Sequence, residues 1–204
     1  MSKILTTESV LLNYAAWYAM RYFPSLAKLR ESLMKKSANN TILVNTVMAE
    51  MGQYINEERT VDGLVRMYTE QSKTCPYIEQ KLRAKKFQID IIETTLEAYG
   101  DTFTSWNNYE NTITRKIQDF LTKNRSRRYI SGALTGKYPN FKQEISSLIE
   151  TLCPDETGSI RSEFEKLSRK HDRNNPKERQ KIVQKLLLKG FPYDDIRKIL
   201  EKNR

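Results

Sequence analysis

Three stretches of this chain repeat one apolar pattern at a fixed interval, which restricts the fold more than any single motif does. Ile78, Leu82, Phe87, Ile92 and Leu96 are followed by Glu97. Moving 104 positions on gives Ile182, Leu186, Phe191, Ile196 and Leu200, followed by Glu201. At half that interval stand Ile130 and Leu134, then Ile145, Ile149 and Glu150 after a one-residue slip in the connecting loop. Leu29, Leu33 and Lys36 open the same register earlier. The apolar positions recur at i, i+3, i+4 and i+7, the spacing of one helix face, and no long alternating run supports strands. Units this short cannot each bury an apolar face alone, so neighbours must stack.

The expected fold is all-α: an elongated, curved tandem array of about four three-helix repeats. The expected divisions are 1–57, 58–99, 107–153 and 160–204, with polar joints at Gly100–Asn108 and Pro154–Ser159. Asn174-Asn175-Pro176 breaks the first part of the last repeat, and Gly190-Phe191-Pro192 turns its final helices. Trp17 and Trp106 read as packing residues.

Catalysis has little support. His171 is the sole histidine, in the polar run Arg169-Lys170-His171-Asp172-Arg173, and reads as a surface residue. Gly132 to Lys137 vaguely resembles a phosphate loop, but the glycine spacing is wrong and no strand precedes it. Asp194-Asp195 and Glu57-Glu58 stand where acids favour the positive end of a helix dipole. Cys75 and Cys153 are far apart and lack metal-ligand spacing. No stretch resembles a secretory leader or reaches the apolar length of a membrane span. A cytoplasmic protein without cofactor or metal is the expectation.

Charge is the functional signal. The net charge of +10 is concentrated in two windows. Arg115–Lys142 holds eight basic residues against Asp119 alone, and Lys166–Lys189 holds nine against Asp172 and Glu178. Such patches attract polyanions by counterion release. Candidate contacts are Arg125, Arg127 and Arg128, whose forked guanidinium groups grip phosphate or carboxylate, with Arg179, Lys181 and Lys185. Lysine also recurs at the seventh position past each ruler start, as Lys36, Lys85, Lys137 and Lys189, where capping a helix C-terminus and binding a partner are both open. Lys86 joins Lys85 as a candidate, and Tyr129 beside the arginines is either a base-stacking residue or core.

Lys185-Leu-Leu-Leu-Lys189-Gly190-Phe191-Pro192-Tyr193-Asp194-Asp195-Ile196 resembles the C-terminal signature of the RecX family, modulators of the RecA recombinase. Tyr54-Ile55-Asn56-Glu57-Glu58-Arg59 is similar to that family's junction between its first two repeats. Pro76, Ile78, Leu82, Lys85 and Phe87 resemble the helix that follows. The pattern departs at Lys81, where the family usually has glutamate, and at Lys86, where it usually has glycine. The family core has three repeats, so the third of the four here looks like the addition. The resemblance implies a protein that binds RecA–single-stranded DNA filaments and limits their growth or promotes their disassembly; a monomer is expected. It would thereby reduce RecA ATPase, strand exchange and coprotease activity in recombination, DNA repair and the SOS response. Contacts with RecA and with single- and double-stranded DNA are expected, and no membrane contact. The alternative is a nucleic-acid-binding helical repeat without a recombinase partner.

Overall fold

The computed structural model describes residues 4–172 and 175–202. The helices among these residues are α1 (Glu8–Tyr22), α2 (Leu26–Lys36), α3 (Thr41–Met51), α4 (Glu57–Glu70), α5 (Cys75–Ala84), α6 (Ile89–Ala98) and α7 (Gly100–Thr104). They continue with α8 (Glu110–Leu121), α9 (Arg127–Lys137), α10 (Lys142–Leu152), α11 (Thr157–Ser168), α12 (Pro176–Leu188) and α13 (Tyr193–Lys202). Strands are absent among the described residues, so the fold is all-α. The chain forms two compact units, residues 1–104 and 105–204.

Each unit holds two hydrophobic cores, each built by three consecutive helices. In the first unit, Leu11, Ala15, Leu29, Leu33, Val44 and Val47 close one core. Val61, Val65, Ile78, Leu82, Phe87 and Ile92 close the other. In the second unit, Ile113, Ile117, Ile130, Leu134, Ile145 and Ile149 form one core. Ile160, Phe164, Ile182, Leu186, Phe191 and Ile196 form the other. The repeating apolar positions are therefore the shared centre of each triplet. A buried leucine or isoleucine contributes about 1.5–3 kcal/mol, so a core of this size is thin and depends on well-made helix ends.

Those ends follow from local chemistry. Ser25, Asn40, Asn56, Ser126 and Asn175 each cap a helix by accepting a backbone N–H bond two or three residues on. Such a cap stabilises a helix by about 1 kcal/mol. Pro24 follows Phe23, whose left-handed backbone (φ 45°) ends α1. The turns after α5 and α12 are alike: a left-handed residue, Lys86 (φ 63°) or Gly190 (φ 90°), is followed by Phe87 or Phe191, whose N–H bonds back to Leu82 or Leu186.

Several sequence expectations need correction. Trp17 is 48% exposed and meets Tyr14 at a tilt and Tyr22 edge-on at the surface, because α1 turns Leu11 and Ala15 inward. The Gly100–Asn108 segment is not a bare joint. It folds as α7, which buries Phe103, and a 3-10 turn at Trp106–Asn108, where Trp106 packs on Phe141. The joint after Pro154 is shorter than expected, since Asp155 accepts from the N–H and hydroxyl of Thr157 and starts α11 there. Of the helix break at Asn174-Asn175-Pro176, Asn174 lies outside the described residues.

Candidate nucleic-acid interface

Both basic windows fall in the second unit, which holds 22 basic and 13 acidic residues; the first holds 13 and 12. Nearly all the net charge therefore belongs to residues 105–204.

The two windows meet where the α8–α9 turn packs on the end of α12. Ser126 N–H donates to the Lys189 carbonyl (3.1 Å). Lys189 Nζ returns across the junction, donating to the Lys123 carbonyl (2.9 Å) and pairing with Glu163 (2.8 Å). Asn124 donates to the same carboxylate (3.3 Å), and Arg125 donates to the Leu188 carbonyl (3.2 Å). Arg127 N–H is held by Glu156, whose carboxylate also lies 3.8 Å from Arg127 Nε. Glu163 has only 5% of its side chain exposed. Burial pushes its carboxyl up, but the hydrogen bonds from Lys189 and Asn124, with the charges of Lys189 and Lys166, bring it below its ordinary value.

The first unit has the same junction. Lys85 accepts from Ser25 N–H (3.4 Å) and Ser25 Oγ (2.8 Å), while its Nζ donates to the Tyr22 carbonyl. Glu57 accepts from Leu26 N–H (2.6 Å), as Glu156 does from Arg127. In both units, then, a lysine at a helix C-cap reaches a carbonyl at or just past the end of an earlier helix and ties two triplets together. Lys85 and Lys189 are joints in the fold. Burial lowers the Lys85 pKa from its ordinary value. Their equivalents Lys36 and Lys137 lie over Tyr14 and Tyr138 instead (5.3 and 5.8 Å).

Outside the joint the two units differ. Lys86 pairs with Glu31 (2.9 Å), which also takes Lys28 (3.2 Å) and Lys35 (3.0 Å). Hydrogen bonds from Lys86, Lys35 and Lys28 lower the Glu31 pKa from 4.5 to about 2. The stabilisation from this cluster is complete above pH 4.5 and is lost as pH falls toward 2. Lys86 holds a left-handed backbone that costs a non-glycine residue about 1–2 kcal/mol. Lys86→Gly should therefore raise the urea midpoint, with a gain of up to about 1 kcal/mol, since an exposed ion pair recovers little of that strain.

On the second unit, Arg128 is exposed and pairs with no carboxylate among the described residues. Arg125 lies over the Tyr129 ring at 4.5 Å, and Tyr129 meets Phe120 edge-on while 37% exposed. Arg125, Arg127 and Arg128 are thus brought together with Lys189. Lys181 and Lys185 line one face of α12 through a chain of contacts: Lys181–Glu178 (2.5 Å), Glu178–His171 (2.5 Å) and His171–Lys185 (2.6 Å). His171 is consequently half-buried and fastens α12 to the end of α11, contrary to a surface reading. Arg179 is half-buried on the same helix, and Lys137 is exposed at the far end of α9.

Sequence reasoning missed an open apolar groove on the first unit, where Met20, Phe23 and Tyr54 stand exposed around Met51 and Ile55. Exposed clusters of this kind mark contact surfaces. Helical spacing gave no warning, because Phe23 and Tyr54 lie beyond helix ends. The described residues contain no cluster of metal-ligating side chains and no helix long and apolar enough to cross a membrane.

Comparison with known proteins finds similarity over the C-terminal triplet and over most of the chain. Residues 155–200, spanning α11 to α13, match the third three-helix domain of RecX. The regulatory protein RecX of two strains of Lactococcus lactis subsp. cremoris is 26% identical over 198 residues, covering 90% of this chain and 73% of the relative. The regulatory protein RecX of Streptococcus agalactiae serotype V is 25% identical over 159 residues, covering 73% of this chain and 60% of the relative. No solved structure matches. With the C-terminal triplet matched as a RecX domain, and the Lactococcus alignments spanning most of an all-α chain of helical triplets, the protein is similar to the RecX family over most of its length.

Proposed function

We propose that this protein is a regulator that binds RecA–single-stranded DNA filaments and limits their growth, lowering RecA ATPase, strand exchange and coprotease activity. The observation that carries the reading is the placement of charge: the RecX-matching triplet and its neighbour hold almost all the net positive charge, and their basic windows meet at one joint. Arg125, Arg127, Arg128, Arg179, Lys181, Lys185 and Lys137 are the contacts with phosphate or with acidic partner surface. Lys85 and Lys189 act by holding the joints, and Lys86 pairs with Glu31 beside the first of them. Steering by these charges weakens as salt rises. The protein works as a monomer in the cytoplasm, performs no chemistry of its own, and leaves nucleotide turnover to the partner.

The division into repeats 1–57, 58–99, 107–153 and 160–204 belongs to this reading. The family's third domain falls on the fourth triplet here, and on this reading α8–α10 is the added one.

Sedimentation with preformed RecA–single-stranded DNA filaments tests the association. The protein is expected in the pellet at low salt and in the supernatant at high salt. Binding to naked DNA with none to RecA-coated DNA would favour the nucleic-acid-binding alternative.

A further inference from the structure

The joint of the first unit is covered on its outer side by an ion pair, and the equivalent place in the second unit is empty of side chains. Aligning the two joints through Ser25 and Ser126, Leu29 and Ile130, and Lys85 and Lys189 puts Gly132 where Glu31 stands and Gly190 where Lys86 stands. The Lys86–Glu31 bridge is thus replaced by two glycines. The result is an open groove of about 730 Å³ floored by Gly132 and Gly190 and walled by Arg128, Tyr129, Leu187 and Tyr193. The same alignment sets Tyr129 against Lys28 and Tyr193 against Ile89, so aromatic rings appear where the filler disappears.

Tyr129 and Tyr193 are 37% and 59% exposed. Neither is needed to close a core, since the buried members there are Ile130, Leu134, Phe191 and Ile196. Tyr129 is seated firmly: a Cβ on Gly190 would lie 2.8 Å from Tyr129 Cβ, and Phe120 and Arg125 brace its ring. Two accessible rings in a groove, with arginines beside them to meet a phosphate backbone, form a stacking platform for unpaired bases. A duplex keeps its base faces stacked inside, so it can meet such a site through phosphates and groove edges but not by stacking.

We infer that the groove between α9 and the α12–α13 turn binds single-stranded nucleic acid by stacking bases on Tyr129 and Tyr193, with Arg125 and Arg128 holding the backbone. This rests on the nucleic-acid part of the function proposed above and adds how one strand is told from two.

The test is fluorescence anisotropy of the full chain with a labelled oligo(dT) strand and with a duplex of equal length, each over a salt series. Tyr129→Ala with Tyr193→Ala should weaken oligo(dT) binding roughly 10-fold or more and leave duplex binding and both salt slopes unchanged. The Tyr→Phe pair should retain wild-type affinity, because stacking needs the ring and not the hydroxyl. Gly132→Gln refills the groove without adding charge. A Cβ there meets nothing within 4 Å, so this variant should fold and still lose oligo(dT) affinity selectively. Unchanged oligo(dT) binding in the Ala pair and in Gly132→Gln would overturn the stacking site. If Arg125, Arg127 and Arg128 changed together to Glu still abolished binding in that case, the charge-based reading would survive. A wild-type chain that binds neither DNA would overturn both.

Discussion

Lys189→Met is expected to destabilise the second unit by about 3 kcal/mol, the cost of leaving a buried carboxylate without its counter-charge. Glu163 is almost fully enclosed, and Lys189 supplies both its ion pair and the bond that closes the Lys123 carbonyl. A loss of that size should lower the melting temperature by roughly 10 °C or more in a unit of this size. Lys85→Met is the informative contrast. Lys85 makes the equivalent carbonyl bond with no buried carboxylate behind it, so its loss should cost only about 1 kcal/mol. Glu163→Gln combined with Lys189→Met should recover much of the stability, and a double-mutant cycle measures the coupling directly. Because the Glu163 pKa is lowered, its contribution is complete above the ordinary carboxylate range and disappears as pH falls through the folded value. The difference between wild type and the Lys189→Met variant should therefore narrow in acid. Equal melting temperatures for the two at neutral pH would show that Lys189 is no structural latch.

Gly190→Ala should be comparably damaging, at about 3 kcal/mol, from left-handed backbone strain together with overpacking. The new Cβ would stand 2.8 Å from Tyr129 Cβ and closer still to Ser126 Oγ, the cap of α9, at a residue whose φ is 90°. The turn cannot retreat, because Ser126 N–H is bonded to the adjacent Lys189 carbonyl. Urea unfolding of the variant should show a lowered midpoint. The first unit holds lysine at the matching site, where the turn is tied less closely: the bond from Ser25 N–H to the Lys85 carbonyl is 3.4 Å, against 3.1 Å from Ser126 to Lys189. A Gly190→Ala variant as stable as wild type would contradict this packing.

The cores were legible in the sequence because helix faces are local: Ile78, Leu82, Ile182 and Leu186 announce themselves by spacing and are all fully buried. The joints were only half legible. The recurrence of Lys85 and Lys189 was visible, but their acceptors lie more than sixty residues earlier, at Tyr22 and Lys123, and no local pattern carries that pairing. Glu163 was missed for the same reason. It reads as one charge among many on α11, and only the fold encloses it against Lys189 and Asn124. The groove at Gly132 was hidden because a glycine in mid-helix gives no sign of what it makes room for. Its meaning emerges only when Glu31 is found at the equivalent place. Trp17 misled for the opposite reason, since large aromatics are usually packed and this one sits on the outer face of α1.

Central to this account is control of a recombinase filament by a basic helical array. Its most direct test is the single-strand-stimulated ATPase of a cognate RecA, measured as the chain is added up to stoichiometric amounts while filament length is followed by electron microscopy. The account predicts that turnover and filament length fall together, with the effect weakened by the joint Arg125, Arg127 and Arg128 to Glu variant. Turnover and filament length both unchanged at a stoichiometric ratio would contradict it.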